Sequence, residues 1–130
     1  MKKWIMRALS VLLIVGIFYL TFQNPKQTHQ LSKGLRNLLE IINIHVDNNH
    51  LRHYIHYVIY FVLGIVLSLW LKNWRALVTG LLIGILDEVV KIWLSTREFD
   101  AGDMARDFVG IVSAWLIMIA FRYVRNWKRE

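Results

Sequence analysis

The sequence predicts an all-α integral membrane bundle of four transmembrane helices, with one extracytoplasmic amphipathic interfacial helix. Two observations carry this reading. Of the 130 residues, 56% are hydrophobic and 19% charged, and the charges gather into short blocks between long apolar runs. A water-soluble domain of this length would spread them along the chain. Four of those runs also approach the roughly 20 helical residues needed to cross a hydrocarbon layer. One Pro, no Cys and this patterning exclude a disordered chain and a disulfide scaffold. The length fits a single domain over residues 1–130.

The first span covers residues 4–22. Lys2, Lys3 and Arg7 flank it as in a secretory signal, but Tyr19, Leu20, Thr21 and Phe22 offer no small-x-small cleavage site, so it reads as an uncleaved anchor. The remaining spans cover residues 54–71, 74–94 and 104–121. All are helices, because an isolated strand leaves its backbone unsatisfied in lipid.

Basic residues set the orientation. With the N-terminus inside, the cytoplasmic ends carry Lys2, Lys3, Arg7, Lys72, Arg75, Arg122, Arg125, Lys128 and Arg129. Lys26, Lys33, Arg36, Arg52 and Arg97 fall outside, and every acid except Glu130 lies outside or in an outer membrane half. Both termini are therefore expected in the cytoplasm of a bacterial cell, with the chain in its cytoplasmic membrane. The formal charge of +7 suits an anionic membrane surface. Its bases flank spans and form no groove, so no nucleic-acid partner is expected.

Residues 23–53 form an outside loop. Leu31, Leu35, Leu38, Leu39, Ile41, Ile42 and Ile44 recur there at near-helical spacing, with Lys33, Arg36, Asn37 and Glu40 in the gaps. The pattern predicts an interfacial helix over residues 30–46, either a skirt on the outer surface or a lid. Pro25 is expected to break the chain before it, and Asn48-Asn49 to end it and cap the next span.

The later spans carry polar stripes. Arg52, His56, Tyr60, Gly64 and Ser68 are four apart, while Gly80, Gly84, Asp87, Glu88 and Lys91 follow three- and four-residue steps. Asp103, Asp107, Gly110 and Ala114 do the same, with Arg106 beside them. Small residues fill the inner halves, where Gly64, Gly80, Gly84 and Gly110 would let helices pack closely. Ionisable residues fill the outer halves and would converge in an outward-facing cleft. Asp87 would lie roughly 12 Å deep, at ~1.5 Å per residue from the span's end. A charge near a bilayer centre costs about 2.5–3.5 kcal/mol on insertion scales, so these groups need partners or water.

Taken in order, these residues resemble the VanZ-like family of small bacterial membrane proteins. The family's Arg, His, Tyr and Gly at four-residue steps match Arg52, His56, Tyr60 and Gly64. Its Asp-Glu-x-x-Gln matches Asp87 and Glu88, with Lys91 in place of Gln. Its Pro-Gly-Arg turn, the Asp six residues after that Arg, and the following Asn-x-x-Gly match Arg97, Asp103 and Gly110. Here Ser95-Thr96 replaces Pro-Gly and Asp107 replaces Asn. The resemblance covers about residues 50–114. Lys91 and Asp107 are expected to touch, exchanging a neutral amide pair for an ion pair. The resemblance implies an influence on susceptibility to the glycopeptide teicoplanin, the role associated with the family's founding member, and implies no reaction.

The leading expectation is a non-enzymatic cleft built from Arg52, His56, Tyr60, Asp87, Glu88, Lys91, Arg97, Asp103, Arg106 and Asp107. It would engage a membrane lipid, with a lipid-linked cell-wall precursor the favoured example. Arg52, Arg97 and Arg106 would meet phosphate oxygens or the aspartates of the last span. A membrane enzyme is the alternative, with Glu88 or Asp87 as acid or base and His56 as proton partner. A small transporter or adaptor is the third reading, and transport by four spans would require an oligomer. The bland reading of Asp87, Glu88 and Lys91 is a structural ion network. No metal is expected: His50, His53 and His56 drift around a helix at three-residue steps, and there is no His-Glu-x-x-His. No cofactor is expected either, in the absence of a Gly-rich phosphate loop.

Overall fold

A computed structural model describes residues 3–22, 25–45, 48–72, 74–94 and 98–129. They form five helices and no strand: α1 (Lys3–Phe22), α2 (Pro25–Ile41), α3 (Asn48–Trp70), α4 (Trp74–Trp93) and α5 (Ala101–Trp127). Among the described residues, α1, the stretch His53–Trp70 of α3, and α5 are long and apolar enough to cross a membrane. α4 has the length, at 20 residues, but carries Asp87, Glu88 and Lys91 in its second half.

Among the boundaries that differ from the sequence reading, three have a clear local reason. Pro25 begins α2 instead of breaking the chain before it. A first-turn N–H has no helical partner, so proline loses nothing there, and its fixed φ suits the helix. At the other end α2 stops at Ile41, short of residue 46. Asn43 adopts φ 60°, Asn43 N–H donates to Glu40 O at 3.0 Å, and Ile44 N–H donates to Leu39 O at 2.9 Å. These two bonds form a Schellman closure, with Asn in the left-handed position usually held by Gly. Asn43 therefore ends the helix, and Asn48-Asn49 opens α3. Finally, α5 starts at Ala101 because Asp100 caps it, its side chain accepting from Gly102 N–H at 2.8 Å. Asp103 in the first turn favours the positive end of the helix.

α3 is the central element, packing on α1, α2, α4 and most extensively on α5. α1 also touches α4, and α4 touches α5. The apolar core holds Ile17, Tyr60, Leu63, Leu67, Ala76, Ile83 and Ile111. On α4 the buried set is Ala76, Gly80, Ile83, Gly84, Asp87, Glu88 and Lys91, a single face running from small to ionisable residues. On α5 it is Asp103, Asp107, Gly110, Ile111 and Ala114, which runs the other way because the helices are antiparallel neighbours. Charges therefore meet charges near the 94–100 connection, and small residues meet near the opposite end.

Close approach of α3 and α5 depends on two glycines. A Cβ at Gly110 would sit 2.7 Å from Tyr57 O and 3.0 Å from Phe61 N, both backbone atoms. One at Gly64 would sit 2.7 Å from Ala114 Cβ and 3.3 Å from Ile111 Cα. On α4 the neighbours are softer: the Ile111 side chain at Gly80, and ordinary contacts of 3.5–3.6 Å at Gly84. Nothing lies within 4 Å of a Cβ at Gly16.

Gly110→Ala should therefore destabilise the bundle by about 1–3 kcal/mol, as overpacking does. Gly16→Ala and Gly84→Ala should fall within about 0.5 kcal/mol of wild type. Unfolding titrations in detergent micelles measure the difference. Equal effects at the three positions would refute this account of the α3–α5 contact.

Candidate functional site

The site starts from α4, whose three ionisable residues share one face and are almost wholly buried: Asp87 and Lys91 at 2% exposure and Glu88 at 0%. Lys91 Nζ contacts Glu88 Oε1 at 2.5 Å and Asp87 Oδ2 at 3.9 Å. The ammonium thus lies between acids one turn back on its own helix. The expected Lys91–Asp107 ion pair is not the arrangement found. The i,i+3 and i,i+4 acids are close by covalent geometry alone, and Asp107 is engaged elsewhere.

Asp87 has two further partners. Tyr60 Oη donates to Asp87 Oδ2 at 3.1 Å, and the Thr21 hydroxyl donates to Asp87 Oδ1. Thr21 also hydrogen-bonds Ile17 O, 2.9 Å away. The second oxygen of Glu88 accepts from Asp100 N–H at 3.4 Å, which ties the network to the cap of α5.

A second group is centred on His56. Its Nδ1 lies 3.0 Å from Asp107 Oδ1 and its Nε2 3.6 Å from Asp103 Oδ2, so the ring bridges two carboxylates one turn apart on α5. Arg106 Nη1 contacts Asp103 Oδ1 at 3.0 Å. Asp103 and Asp107 are fully buried, while Arg106 is about a third exposed. Asp107 Oδ2 is buried with no partner among the described residues. A buried acceptor left without a donor costs about 1–3 kcal/mol.

The structure thus assembles His56, Tyr60, Asp87, Glu88, Lys91, Asp103, Arg106 and Asp107. Arg97 lies outside the described residues. Arg52 lies on α3, one turn before His56, and its side chain is likewise outside the description. His56 faces Asp103 and Asp107, so the expected acid–base partnership with Glu88 or Asp87 is not the contact it makes. Thr21 was missed. Its signal was a polar residue four after Ile17, on the buried stripe Met6, Ser10, Ile17 and Thr21 of α1.

A cavity of about 200 Å³ opens beside this network. Ile17 and Leu20 of α1, Leu31 and Leu35 of α2, and Ile55 and Ile59 of α3 form its apolar wall. Thr21, Ser32, His56, Tyr60, Asp87 and Lys91 supply its polar surface. It therefore presents hydrocarbon on one side and hydrogen-bonding groups on the other. Asp87, Glu88 and Asp107 each place a carboxylate oxygen within 4.8 Å of the others. That spacing would suit a cation, and the Lys91 ammonium already lies against two of the three.

The sequence pattern of the VanZ/LLP1 family matches residues 7–122, nearly the whole chain, and the chain belongs to that family. No curated protein and no solved structure matches it.

Removing only the ammonium should be costly. Lys91→Met leaves two carboxylates buried against each other, and breaking a buried pair costs about 3–5 kcal/mol. The double variant Glu88→Gln/Lys91→Met should recover at least half of that loss. Unfolding titrations of the two variants test it, and additive losses would show that Lys91 and Glu88 are not coupled.

Proposed function

We propose that this member of the VanZ/LLP1 family is a four-span protein of the bacterial cytoplasmic membrane, with both termini in the cytoplasm and α2 on the outer surface. α4 is the third span in chain order. Asp87, Glu88 and Lys91 turn inward, while Val78, Leu82, Ile85, Leu86, Val89 and Ile92 are exposed and suit contact with lipid chains. A count of charges along α4 overstates its polarity, because none of these three faces outward.

The protein acts by binding, without catalysis, and its ligand is an envelope lipid held in the cavity between α1, α2, α3 and α4. The observation that carries this reading is the cavity's division into an apolar wall and a polar surface. The wall takes a hydrocarbon chain. The polar surface is rich in acceptors, Asp87 above all, and suits a headgroup bearing hydroxyl and amide donors. A polyprenyl diphosphate carrying an amino sugar combines those features, and Arg52, Arg97 and Arg106 suit its phosphates. Engagement of this cell-wall precursor would alter susceptibility to glycopeptides such as teicoplanin.

One observation favours a second reading, an enzyme acting on a lipid-linked substrate. His56 lines the cavity and is held by Asp107 at 3.0 Å, the relation of a general base to its orienting carboxylate. Turnover of such a lipid by purified protein, abolished in His56→Gln, would establish this alternative.

For the binding reading, photocrosslinkers at Leu31 and Ile59 should capture a polyprenyl-linked lipid, and Asp87→Asn should reduce the capture about tenfold. In a Gram-positive host, the wild type should raise teicoplanin tolerance above that of Asp87→Asn at matched membrane levels. Capture of bulk phospholipid alone, with no change in tolerance, would overturn the reading.

A further inference from the structure

The opposite end of the bundle holds a second cavity, of about 490 Å³, lined by Lys3, Leu69, Trp70, Leu71, Lys72, Trp74 and Arg75. Its size lies within the roughly 300–1,000 Å³ common for small-ligand sites. Three of the lining residues are cations, and none has a carboxylate partner among the described residues. Every described acid of α4 and α5 lies in the half near the 94–100 connection, at the far end of these helices. The N-termini of α1 at Lys3 and α4 at Trp74 lie at this cavity and bring the positive ends of two helix dipoles, against one negative end from α3 at Trp70. Arg7 lies 5.7 Å over the Trp70 ring, which fixes that indole and brings a fourth positive charge to the cavity's edge. Trp74, which lines the cavity, is exposed, and tryptophan settles at headgroup depth.

We infer that this cavity binds the phosphate of an anionic phospholipid headgroup. Arg75 presents a planar fork to phosphate oxygens, and Lys3 and Lys72 act as point charges. The indoles of Trp70 and Trp74 border the glycerol region. The helices around the cavity carry apolar, outward-facing residues, so a lipid headgroup placed here leaves its acyl chains against Leu69 and Val78. This site stands apart from the cavity near Asp87 and does not depend on what that cavity binds. Unpaired cations clustered between helix ends at a membrane surface are the chemistry that selects anionic headgroups.

The test uses the purified full chain, equilibrated in detergent with phosphatidylglycerol or phosphatidylcholine and analysed by native mass spectrometry. Wild type should retain phosphatidylglycerol in preference to phosphatidylcholine. Lys72→Gln/Arg75→Gln should reduce that retention about tenfold. Arg125→Gln/Lys128→Gln, which removes as much charge from the same end but outside the cavity, should change it less than about twofold. Equal retention of the two lipids, or equal losses in the two double variants, would overturn the proposal. Displacement of the lipid by millimolar inorganic phosphate would assign the site to free phosphate instead. Should Lys72→Gln/Arg75→Gln fail to fold, wild-type tryptophan quenching decides. Phosphatidylglycerol brominated on its acyl chains should quench more than the matching phosphatidylcholine, and equal quenching contradicts the site.

Discussion

A lysine and two acids, side by side on one face of α4 and at most 2% exposed, constrain the rest of this molecule. Each charge would cost about 2.5–3.5 kcal/mol near the centre of a bilayer. Lys91, Asp87 and Glu88 offset part of that cost among themselves, and the remainder is met by other helices. Thr21 reaches Asp87 from α1, Tyr60 reaches it from α3, and the α5 cap reaches Glu88 through Asp100 N–H. A bundle with α4 turned by half a helix would face these charges to lipid and strand the donors. The network therefore fixes the rotation of α4. The small residues fix how closely α3 and α5 approach, since Gly64 and Gly110 meet atoms of the facing helix where a side chain would clash.

The same arrangement polarises the bundle along its axis. Buried carboxylates collect at one end, and unpaired cations and tryptophans at the other. Each end has a cavity, and their chemistries are opposite. The first joins an apolar wall to acceptors, whereas the second is a pocket of bases. Amphipathic α2 contributes Leu31, Ser32 and Leu35 to the first cavity, and Leu38 and Ile41 beyond them are exposed.

Much of this was legible because helical periodicity is a strong signal when charges are rare. Steps of three and four group His56, Tyr60, Asp87, Glu88, Lys91, Asp103 and Asp107 in the sequence itself, and the ordered motifs point to the family. Pairings within the group were not legible. Which acid a lysine meets depends on rotamers and on the offset between helices, so Lys91 found Glu88 on its own helix while Asp107 found His56 on another. Thr21 looked like an ordinary residue at the end of an apolar run, because a single hydroxyl leaves no periodic trace. The ends of α2 depart from the sequence pattern for chemical reasons: Pro25 starts the helix where a breaker is expected, and Asn43 closes it in the left-handed conformation.

The central claim is that α4 crosses the bilayer with its ionisable face turned into the bundle. The chain has no cysteine, so single cysteines introduced along α4 can carry nitroxide labels without background. The decisive measurement is the accessibility of labels at Leu82, Ile83, Ile85, Leu86, Val89 and Ile92, in lipid bilayers, to oxygen and to a water-soluble nickel complex. The account predicts high oxygen and low nickel accessibility at Leu82, Ile85, Leu86 and Val89, protection from both at Ile83, and rising nickel accessibility towards Ile92. Nickel accessibility that is high and even along all six positions would place α4 in water or at the surface and contradict the account.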